Sequence, residues 1–270
     1  MVDVLCAEPA QTGRRVHTDV AIRAGGSAVN AAFAAAEARA RASVIGRIGD
    51  DAAGGLALRE LEARGIDAVL ARDPELPTGA AVVFRTDPPS VVADRGANAE
   101  FGVDDVPASI DTDALFVSGF ALFQSGSSEA ASAAIDRFGG GVLGIDVGAP
   151  GLAEGARDLR VPSGKQTVLF ATAEEARALT GSEPEGAARL LAASYTVVCI
   201  KLGAEGAIAV SEDTLDRRRA DAVERTSPFG AGDAFAGTFL VALAEGVSVG
   251  EALGRACTAG AEAAGRGLPL

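Results

Sequence analysis

Short apolar runs alternate along the chain with longer segments in which apolar residues recur every three or four positions. The short runs are typical of buried strands, and the longer periodic segments are typical of helices. Gly65 directly follows one periodic segment and predicts where that helix stops. The predicted strands are 2–6, 42–48, 114–118, 142–147, 167–171 and 196–201; the predicted helices are 27–40, 54–64, 127–138, 174–180 and 185–193, with two alanine-rich helices at the end of the chain.

This alternation predicts an α/β fold with a mostly parallel central sheet and helices on both of its faces. Residues 80–85 and 90–94 interrupt it with two short strands around a turn at 86–89, and a further hairpin is predicted through 206–212. We therefore expect a single domain, residues 1–270, with a small β lid from about 12–24 and 79–101. Ligands of open α/β sheets bind at the carboxyl ends of the strands.

Composition and charge narrow the classes of partner. The 270 residues are 48% hydrophobic, which suits one large core and argues against disorder. The net charge of −13 argues against a nucleic-acid partner, which needs clustered Lys and Arg. Anionic ligands stay open, since helix N-termini bind phosphate without net positive charge. With no leader pattern and no apolar run of about 20 residues, we expect a cytoplasmic protein without a membrane partner.

Cysteine and histidine usage excludes further chemistry. Cys6, Cys199 and Cys257 are far apart and form no CxxC pair, which argues against a structural zinc site or a disulfide framework. His17 is the sole histidine of the chain. One histidine is a weak basis for a Ser-His-Asp or Cys-His hydrolase.

The most informative motif is a glycine-rich turn before an apolar helix: Gly230, Ala231, Gly232 and Asp233. Small residues let a phosphate approach the backbone, and the first amides of a helix bind anions with the positive end of its dipole behind them. A carboxylate at this turn can accept the proton of an attacking hydroxyl. Asp is also common as a plain helix cap, so the turn alone leaves both readings open.

Two long segments resemble the signatures of the ribokinase-like (PfkB) carbohydrate and nucleoside kinases. Residues 227–237 resemble the C-terminal signature, whose core reads Gly-Ala-Gly-Asp, and residues 25–32 with 44–51 resemble the N-terminal signature. The resemblance covers essentially the whole chain, because shorter matches lie between the signatures in the expected order: Ser118-Gly119, Ile145-Asp146, Glu174-Glu175-Ala176 and Lys201 to Gly206.

The resemblance implies transfer of the γ-phosphoryl group of ATP to a hydroxymethyl group of a sugar or sugar-like molecule, with ATP and Mg²⁺ as cofactors. It also implies a homodimer formed through the lid. The implied catalytic residues are Asp233 as the base and the backbone amides of Gly230, Ala231 and Gly232 as the anion hole. The other implied roles are substrate binding by Asp3, Gly26, Asn30 and Asn98, nucleotide binding by Lys201, Gly203, Gly206 and Thr172, and magnesium binding through water by Glu175.

Several positions depart from the family pattern or fit a second role. Ser227 stands where the family carries an Asp that shapes a monovalent-cation site, which argues against activation by such a cation. Thr172 replaces the Asn of an Asn-x-x-Glu motif whose Glu175 is kept, so the magnesium site is in question. Ser27 replaces a Lys common in ribokinases proper, which argues against ribose. Asn98 fits a turn residue of the lid equally well.

Three alternatives accompany the sugar kinase. The first is a nucleoside kinase of the same family; the absence of Trp and the single Tyr195 leave base stacking to Phe, which favours a sugar. The second is a non-catalytic sugar- or nucleoside-binding relative, which the changes at Thr172 and Ser227 suggest and the retained Asp233 opposes. The third is a dinucleotide-dependent oxidoreductase. Its G-x-G-x-x-G pattern at 139–144 precedes a strand and opens no helix, which argues against it.

Overall fold

The computed structural model describes residues 1–9, 13, 15–84, 86, 90–157, 159, 161–223 and 228–266. Its strands are β1 (Val2–Cys6), β2 (Val20–Ala24), β3 (Ser43–Gly49), β4 (Asp67–Asp73), β5 (Thr78–Phe84), β6 (Ser90–Gly96), β7 (Ala114–Val117), β8 (Val142–Asp146), β9 (Gln166–Thr172), β10 (Val197–Lys201), β11 (Ala207–Ser211) and β12 (Thr214–Arg218). Its α-helices are α1 (Ser27–Glu37), α2 (Ala52–Ala63), α3 (Gly119–Leu122), α4 (Ser128–Arg137), α5 (Ala153–Arg157), α6 (Ala173–Thr180), α7 (Pro184–Leu191), α8 (Ala231–Ala244) and α9 (Val249–Gly265).

The α/β fold predicted from the sequence is confirmed, with one difference in how the strands pair. Hydrogen bonds among the described residues form three sheets: β12-β11-β10-β9-β8-β7, β2-β1-β5-β6 and β3-β4. The sequence predicted a central sheet and a small β lid; the structure pairs β1 with the lid strands and leaves β3 and β4 in a sheet of their own. Strands β7 to β10 run parallel, as the strand–helix alternation predicts, and β11 and β12 add an antiparallel hairpin at the edge. Sequence periodicity predicts strands but carries little information on where one sheet ends and the next begins.

The predicted lid segments supply three strands of the four-stranded sheet: the outer strands β2 and β6 and the central strand β5. Strands β2 and β6 pair antiparallel with β1 and β5, whereas β1 and β5 pair parallel at its centre. Four large apolar side chains of the outer strands are exposed: Val20, Ile22, Val91 and Val92. Part of segment 12–24 and most of the turn at 86–89 lie outside the described residues.

The core around the six-stranded sheet places α8 and α9 against one face. Phe170 of β9 meets Phe235 and Phe239 of α8 edge-on, with ring centroids 6.2 and 5.6 Å apart. Such aromatic pairs contribute roughly 0.5–1.5 kcal/mol each beyond the area they bury. They hold α8, whose first turn carries the glycine-rich motif, in a defined position on the sheet.

Helix α8 also lies in backbone contact with α1. A Cβ atom placed on Gly237 would overlap the carbonyl oxygen of Ala31, so only glycine permits this approach. The contact between α1 and α8 brings the two signature segments together.

Among the described residues, no helix has the length and apolar character needed to cross a membrane.

We expect Gly237→Ala to lower the free energy of unfolding by about 1–3 kcal/mol, because the added methyl group forces the two backbones apart. The matched control is Gly254→Ala in α9, where the nearest atom to a new Cβ is Arg218 Nε at 3.9 Å. With room available, the better helix propensity of alanine should raise stability by roughly 0.5–1 kcal/mol. Urea unfolding of both variants measures the two changes in the free energy of unfolding, which should have opposite signs. Equal changes would contradict a close backbone contact at Gly237.

Candidate active site

The N-terminus of α8 is built on a glycine in the left-handed region. Gly230 has φ 81° and serves as the N-cap without a side-chain cap, and its carbonyl accepts the first helical hydrogen bond from Ala234 at 3.0 Å. Uncapped first-turn amides are available to a ligand. One amide expected in the anion hole, that of Ala231, donates to the Pro228 carbonyl at 3.2 Å. Asp233 lies inside the first turn, which excludes its reading as the cap residue.

The Asp233 carboxylate is held by α1. Asn30 Nδ2 donates to Asp233 Oδ2 at 2.9 Å, across 203 positions of sequence. This bond orients the carboxylate and uses one of the two N–H donors of the Asn30 side chain. Two residues that the sequence assigned to different roles, base and substrate binder, therefore form one unit.

The environment of Asp233 makes it a better base than an exposed carboxylate. Burial raises the pKa of Asp233 to about 6, and the negative charge of Asp146 acts in the same direction. The hydrogen bond from Asn30 and the charge of Lys201 oppose the rise in this pKa. A base with a pKa near the working pH accepts a proton efficiently yet stays ionised at neutrality.

A buried ion pair between Lys201 and Asp146 lies next to the glycine-rich turn. Lys201 Nζ lies 2.8 Å from Asp146 Oδ1, and both side chains are largely buried. Burial acts to lower the pKa of Lys201, but Asp146 and Glu175 outweigh it, so this pKa is raised and the ammonium stays charged. A Cβ placed on Gly232 would lie 3.2 Å from Nζ, so the positive charge is next to the backbone of the motif.

Two cavities meet at this turn. The larger, of about 1040 Å³, is lined by Ala231 and Gly232 together with β9–β12, α6 and α9. The smaller, of about 70 Å³, is lined by Gly230 and Ala234 together with residues of β1, β2, α1 and α9. Successive residues of one helical turn thus face different spaces.

The predicted nucleotide-binding residues all line the larger cavity: Lys201, Gly203, Gly206 and Thr172. Gly206 has φ 97°, and a Cβ there would overlap the Arg218 carbonyl oxygen, so the tight turn between β10 and β11 requires glycine. Gly203, at φ 60°, has open space on the side where a Cβ would stand. The volume of this cavity suits a ligand as large as a nucleotide.

Thr172 and Glu175 form a capping box at the start of α6. Thr172 N donates to Glu175 Oε2 at 2.8 Å, and Glu175 N donates to Thr172 Oγ1 at 3.2 Å. Glu175 is buried, which raises its pKa; the charge of Lys201 opposes this rise and that of Asp146 adds to it. Thr172 therefore takes over the capping role that Asn also fills well, which gives the departure from the family motif a physical reason.

Asp3 is buried completely, and neither of its carboxylate oxygens has a hydrogen-bond partner among the described residues. A Cβ on Gly25 would overlap the Asp3 carboxyl group, so the turn between β2 and α1 closes directly over it. Burial raises the pKa of Asp3, and the charge of Arg23 opposes this shift. A buried carboxylate without donors is costly to fold, which points to a functional role.

The remaining predicted residues differ in where the fold places them. Asn30 lines the smaller cavity; Asp3, Gly26 and Asn98 are not among the described residues that line it. Gly26 is the N-cap of α1 at φ 91°. Asn98 donates from Nδ2 to the Arg95 carbonyl at 3.0 Å, which is the turn contact weighed above. A substrate role for these three residues stays a prediction.

Asp146 and Arg23 were not assigned a role from the sequence. Asp146 is the last residue of β8, whose residues are all buried, and lies where the ligands of α/β folds bind. A carboxylate at the end of a buried apolar run could therefore have been recognised from the sequence as a candidate site residue. Arg23 lines the smaller cavity from β2, and its alternating strand gave no such signal.

The fit of magnesium can be tested on the carboxylates near Lys201. Within the described ranges, no group of three or more His, Cys, Asp or Glu residues could by itself hold a metal ion. Mg²⁺ usually keeps several waters and binds one or two carboxylates plus substrate phosphates. Asp146 and Glu175 fit that arrangement as outer ligands. Ser227, the position that bears on a monovalent cation, lies outside the described residues.

Comparisons with known proteins identify the family of this chain. The model of the pfkB family carbohydrate kinases matches residues 2–268. An ATP-dependent ribose-1-phosphate kinase of Halopiger xanaduensis is 31% identical over 247 residues, covering 90% of this chain and 80% of the relative. A 2-dehydro-3-deoxygluconokinase of Thermoproteus tenax is 32% identical over 252 residues, covering 87% and 78%.

Among solved structures, an adenosine kinase from Sinorhizobium meliloti superposes with a TM-score of 0.83 at 23% identity, over 98% of this chain and 91% of that one. At this identity the superposition supports the fold alone. The family match over nearly the whole length carries the assignment. This chain belongs to the pfkB family of carbohydrate kinases.

Proposed function

We propose that this protein transfers the γ-phosphoryl group of ATP to a hydroxymethyl group of a sugar, with Asp233 as the base. The observation that carries the proposal is the position of Asp233 on a turn whose neighbouring residues line two cavities. Asp233 is not itself among the described residues that line either cavity; its carboxylate is bound at 2.9 Å by Asn30, which lines the smaller one. A nucleotide in the larger cavity and an acceptor in the smaller one would meet at that carboxylate. Membership of the pfkB family supports ATP-dependent phosphotransfer to a sugar.

The residues of the turn account for the chemical step. Asp233 accepts the proton of the attacking hydroxyl, and Asn30 keeps its carboxylate in position. The first-turn amides of α8, its dipole and the ammonium of Lys201 stabilise negative charge that develops on the transferred group. Bound ATP supplies that group, and Mg²⁺ supplies charge neutralisation of the phosphates. Asp146 and Glu175 would hold the ion through water.

A sugar is favoured over a nucleoside as the acceptor. The two curated relatives are named for sugar derivatives, ribose 1-phosphate and 2-dehydro-3-deoxygluconate. The intact arrangement of Asp233, Asn30 and Lys201 argues against the non-catalytic relative.

The lid and its assembly complete the proposal. Closure of the β2 and β6 strands over the acceptor would exclude water, which competes as a phosphoryl acceptor. The exposed apolar side chains on these two strands support a homodimer through the lid, since such patches mark interaction sites. The cytoplasmic location stays a prediction.

The variant Asp233→Asn tests the base. We expect ADP release in the presence of a panel of sugars to fall at least about 100-fold in kcat, because an amide cannot accept the proton. The matched control is Asp136→Asn on the exposed face of α4, which should keep full activity. Near-normal turnover by Asp233→Asn would refute the assignment, and ligand binding without turnover by the unmodified protein would favour the non-catalytic relative.

The pH dependence tests the electrostatics of the turn. Since burial raises the pKa of Asp233 to about 6, kcat/KM should be constant above this pH and fall as the pH drops through it and the carboxylate becomes protonated. Asp146→Asn removes a charge that raises this pKa and releases Lys201 from its partner, so both changes move the acidic limb to lower pH. A profile from pH 5 to 8 measures the shift; an unchanged or higher limb would contradict it.

The role of Asp3 is tested by comparing the two substrates. We expect Asp3→Ala to raise the KM of the acceptor about 10-fold or more, the value of a hydrogen bond to a charged group, and to leave the KM of ATP within about two-fold. Asp19→Ala, an exposed carboxylate just before β2, is the control and should change neither. Equal effects of Asp3→Ala on both KM values would count against an acceptor contact.

A further inference from the structure

Arg23 places a guanidinium at the smaller cavity that nothing described so far uses. It stands on β2 directly opposite Asp3 of β1, so both side chains project from the same face of the sheet. Arg23 Nε is buried and has no hydrogen-bond partner among the described residues. The Asp3 oxygens are likewise unpartnered, so the two opposite charges make no hydrogen bond to each other.

The end of the Arg23 side chain reaches the catalytic turn. A Cβ placed on Gly230 would lie 3.8 Å from Arg23 Nη2 and 3.7 Å from Asn30 Nδ2. The guanidinium therefore stands with Asn30 on the side of the turn that faces the smaller cavity. Ala231 and Gly232, on the other side, face the larger cavity.

Other buried or half-buried cations in the described part of the chain have acceptors, which are carboxylates in two cases and backbone carbonyls in others, as for Arg137 with the carbonyls of Val103 and Val106. Lys201 pairs with Asp146 at 2.8 Å, and Arg47 pairs with Asp73 at 3.0 Å and Asp105 at 2.9 Å.

The second arginine of the smaller cavity is matched as well. Arg266 donates to both carboxylate oxygens of Glu37, at 2.7 and 2.6 Å. Arg23 differs from these cations because its buried Nε has no acceptor among the described residues. Buried donors without partners are rare in folded proteins and call for an explanation such as a ligand.

We propose that Arg23 binds an anionic group carried by the acceptor, so that the sugar phosphorylated by this protein is a sugar phosphate or a sugar acid. Phosphate and carboxylate groups both present a pair of oxygens that the planar guanidinium binds with two parallel hydrogen bonds. The acceptor would place its anionic group on Arg23 and its hydroxymethyl group at Asp233. This proposal deepens the proposed function and rests on it.

Two other roles for Arg23 make a different prediction. Arg23 could stabilise the transferred phosphoryl group, or it could only compensate the charge of Asp3. In both cases its loss would lower kcat/KM for charged and neutral acceptors by the same factor. An anion-binding role affects charged acceptors alone. Selectivity between charged and neutral acceptors therefore decides the matter.

The experiment measures kcat/KM for two matched pairs of acceptors at saturating ATP. The first pair is ribose 1-phosphate and methyl β-ribofuranoside; the second is 2-dehydro-3-deoxygluconate and its methyl ester. The variants are Arg23→Gln, which removes the charge, Arg23→Lys, which keeps the charge and loses the planar fork, and Arg72→Gln, an exposed arginine of β4 as the control. Thermal unfolding of each variant verifies that it is folded.

We expect the unmodified protein to prefer the charged member of at least one pair, and the preferred pair distinguishes phosphate from carboxylate. Arg23→Gln should lower kcat/KM for that charged acceptor about 10- to 100-fold and change the neutral one less than about three-fold, with Arg23→Lys in between. Arg72→Gln should match the unmodified protein. A preference for neutral acceptors, or an equal loss for both members of a pair, would overturn the proposal.

A binding measurement separates this inference from the proposed function. Calorimetric titration of ribose 1-phosphate and 2-dehydro-3-deoxygluconate into Asp233→Asn, with and without Arg23→Gln, needs no turnover. If no acceptor is phosphorylated, the kinase assignment fails, while weaker binding on loss of Arg23 still supports an anion site. If neutral sugars are phosphorylated and Arg23→Gln changes neither binding nor rate, the function stands and the anion site is wrong. Should Arg23→Gln fail to fold, Arg23→Lys and the acceptor preference of the unmodified protein decide.

Discussion

The whole site depends on how closely two helices approach each other. Gly237 of α8 lies against the carbonyl oxygen of Ala31 in α1, where any side chain would separate the backbones. One turn away, the same approach lets Asn30 reach Asp233 at 2.9 Å. Helix packing thus holds residues from opposite ends of the chain at hydrogen-bond distance. The same contact fixes the positions of the smaller and the larger cavity, which lie on either side of the turn.

Around this contact the fold concentrates a few charges in a protein that is acidic overall. Lys201 and Asp146 form an ion pair within the core. The charge of Asp146 also raises the pKa of Asp233, which makes Asp233 a stronger base. The net charge of −13 says nothing about this local balance. In the proposed mechanism, phosphate binding relies on one ammonium, helix amides and glycine backbone, so it does not need a basic surface.

The sequence predicted local structure well and long-range pairing poorly. Strand β1 has the predicted limits Val2–Cys6 because its apolar run is uninterrupted. Strand β4 was missed because Asp67–Asp73 mixes charges with apolar residues and is mostly exposed or half-buried. In the site, the motif and its family resemblance led to Asp233, but the ion pair of Lys201 with Asp146 joins residues 55 positions apart, and no periodicity reveals such a contact. The position of Arg23 opposite Asp3 likewise depends on the pairing of β2 with β1, which the sequence does not reveal.

The two cavities draw on different stretches of the chain. Apart from α8, α9 and the neighbouring residues Phe229 and Arg266, the smaller one is lined by residues from the first 37 positions, whereas the larger one is lined entirely by residues from Thr172 onwards. A single helical turn is the partition between them. Under the proposed assignment of the acceptor to the smaller cavity and the nucleotide to the larger one, substitutions in the opening strands and α1 change which molecule is accepted and leave the nucleotide site as it is. Such an arrangement lets new acceptors be acquired without rebuilding the chemistry of transfer.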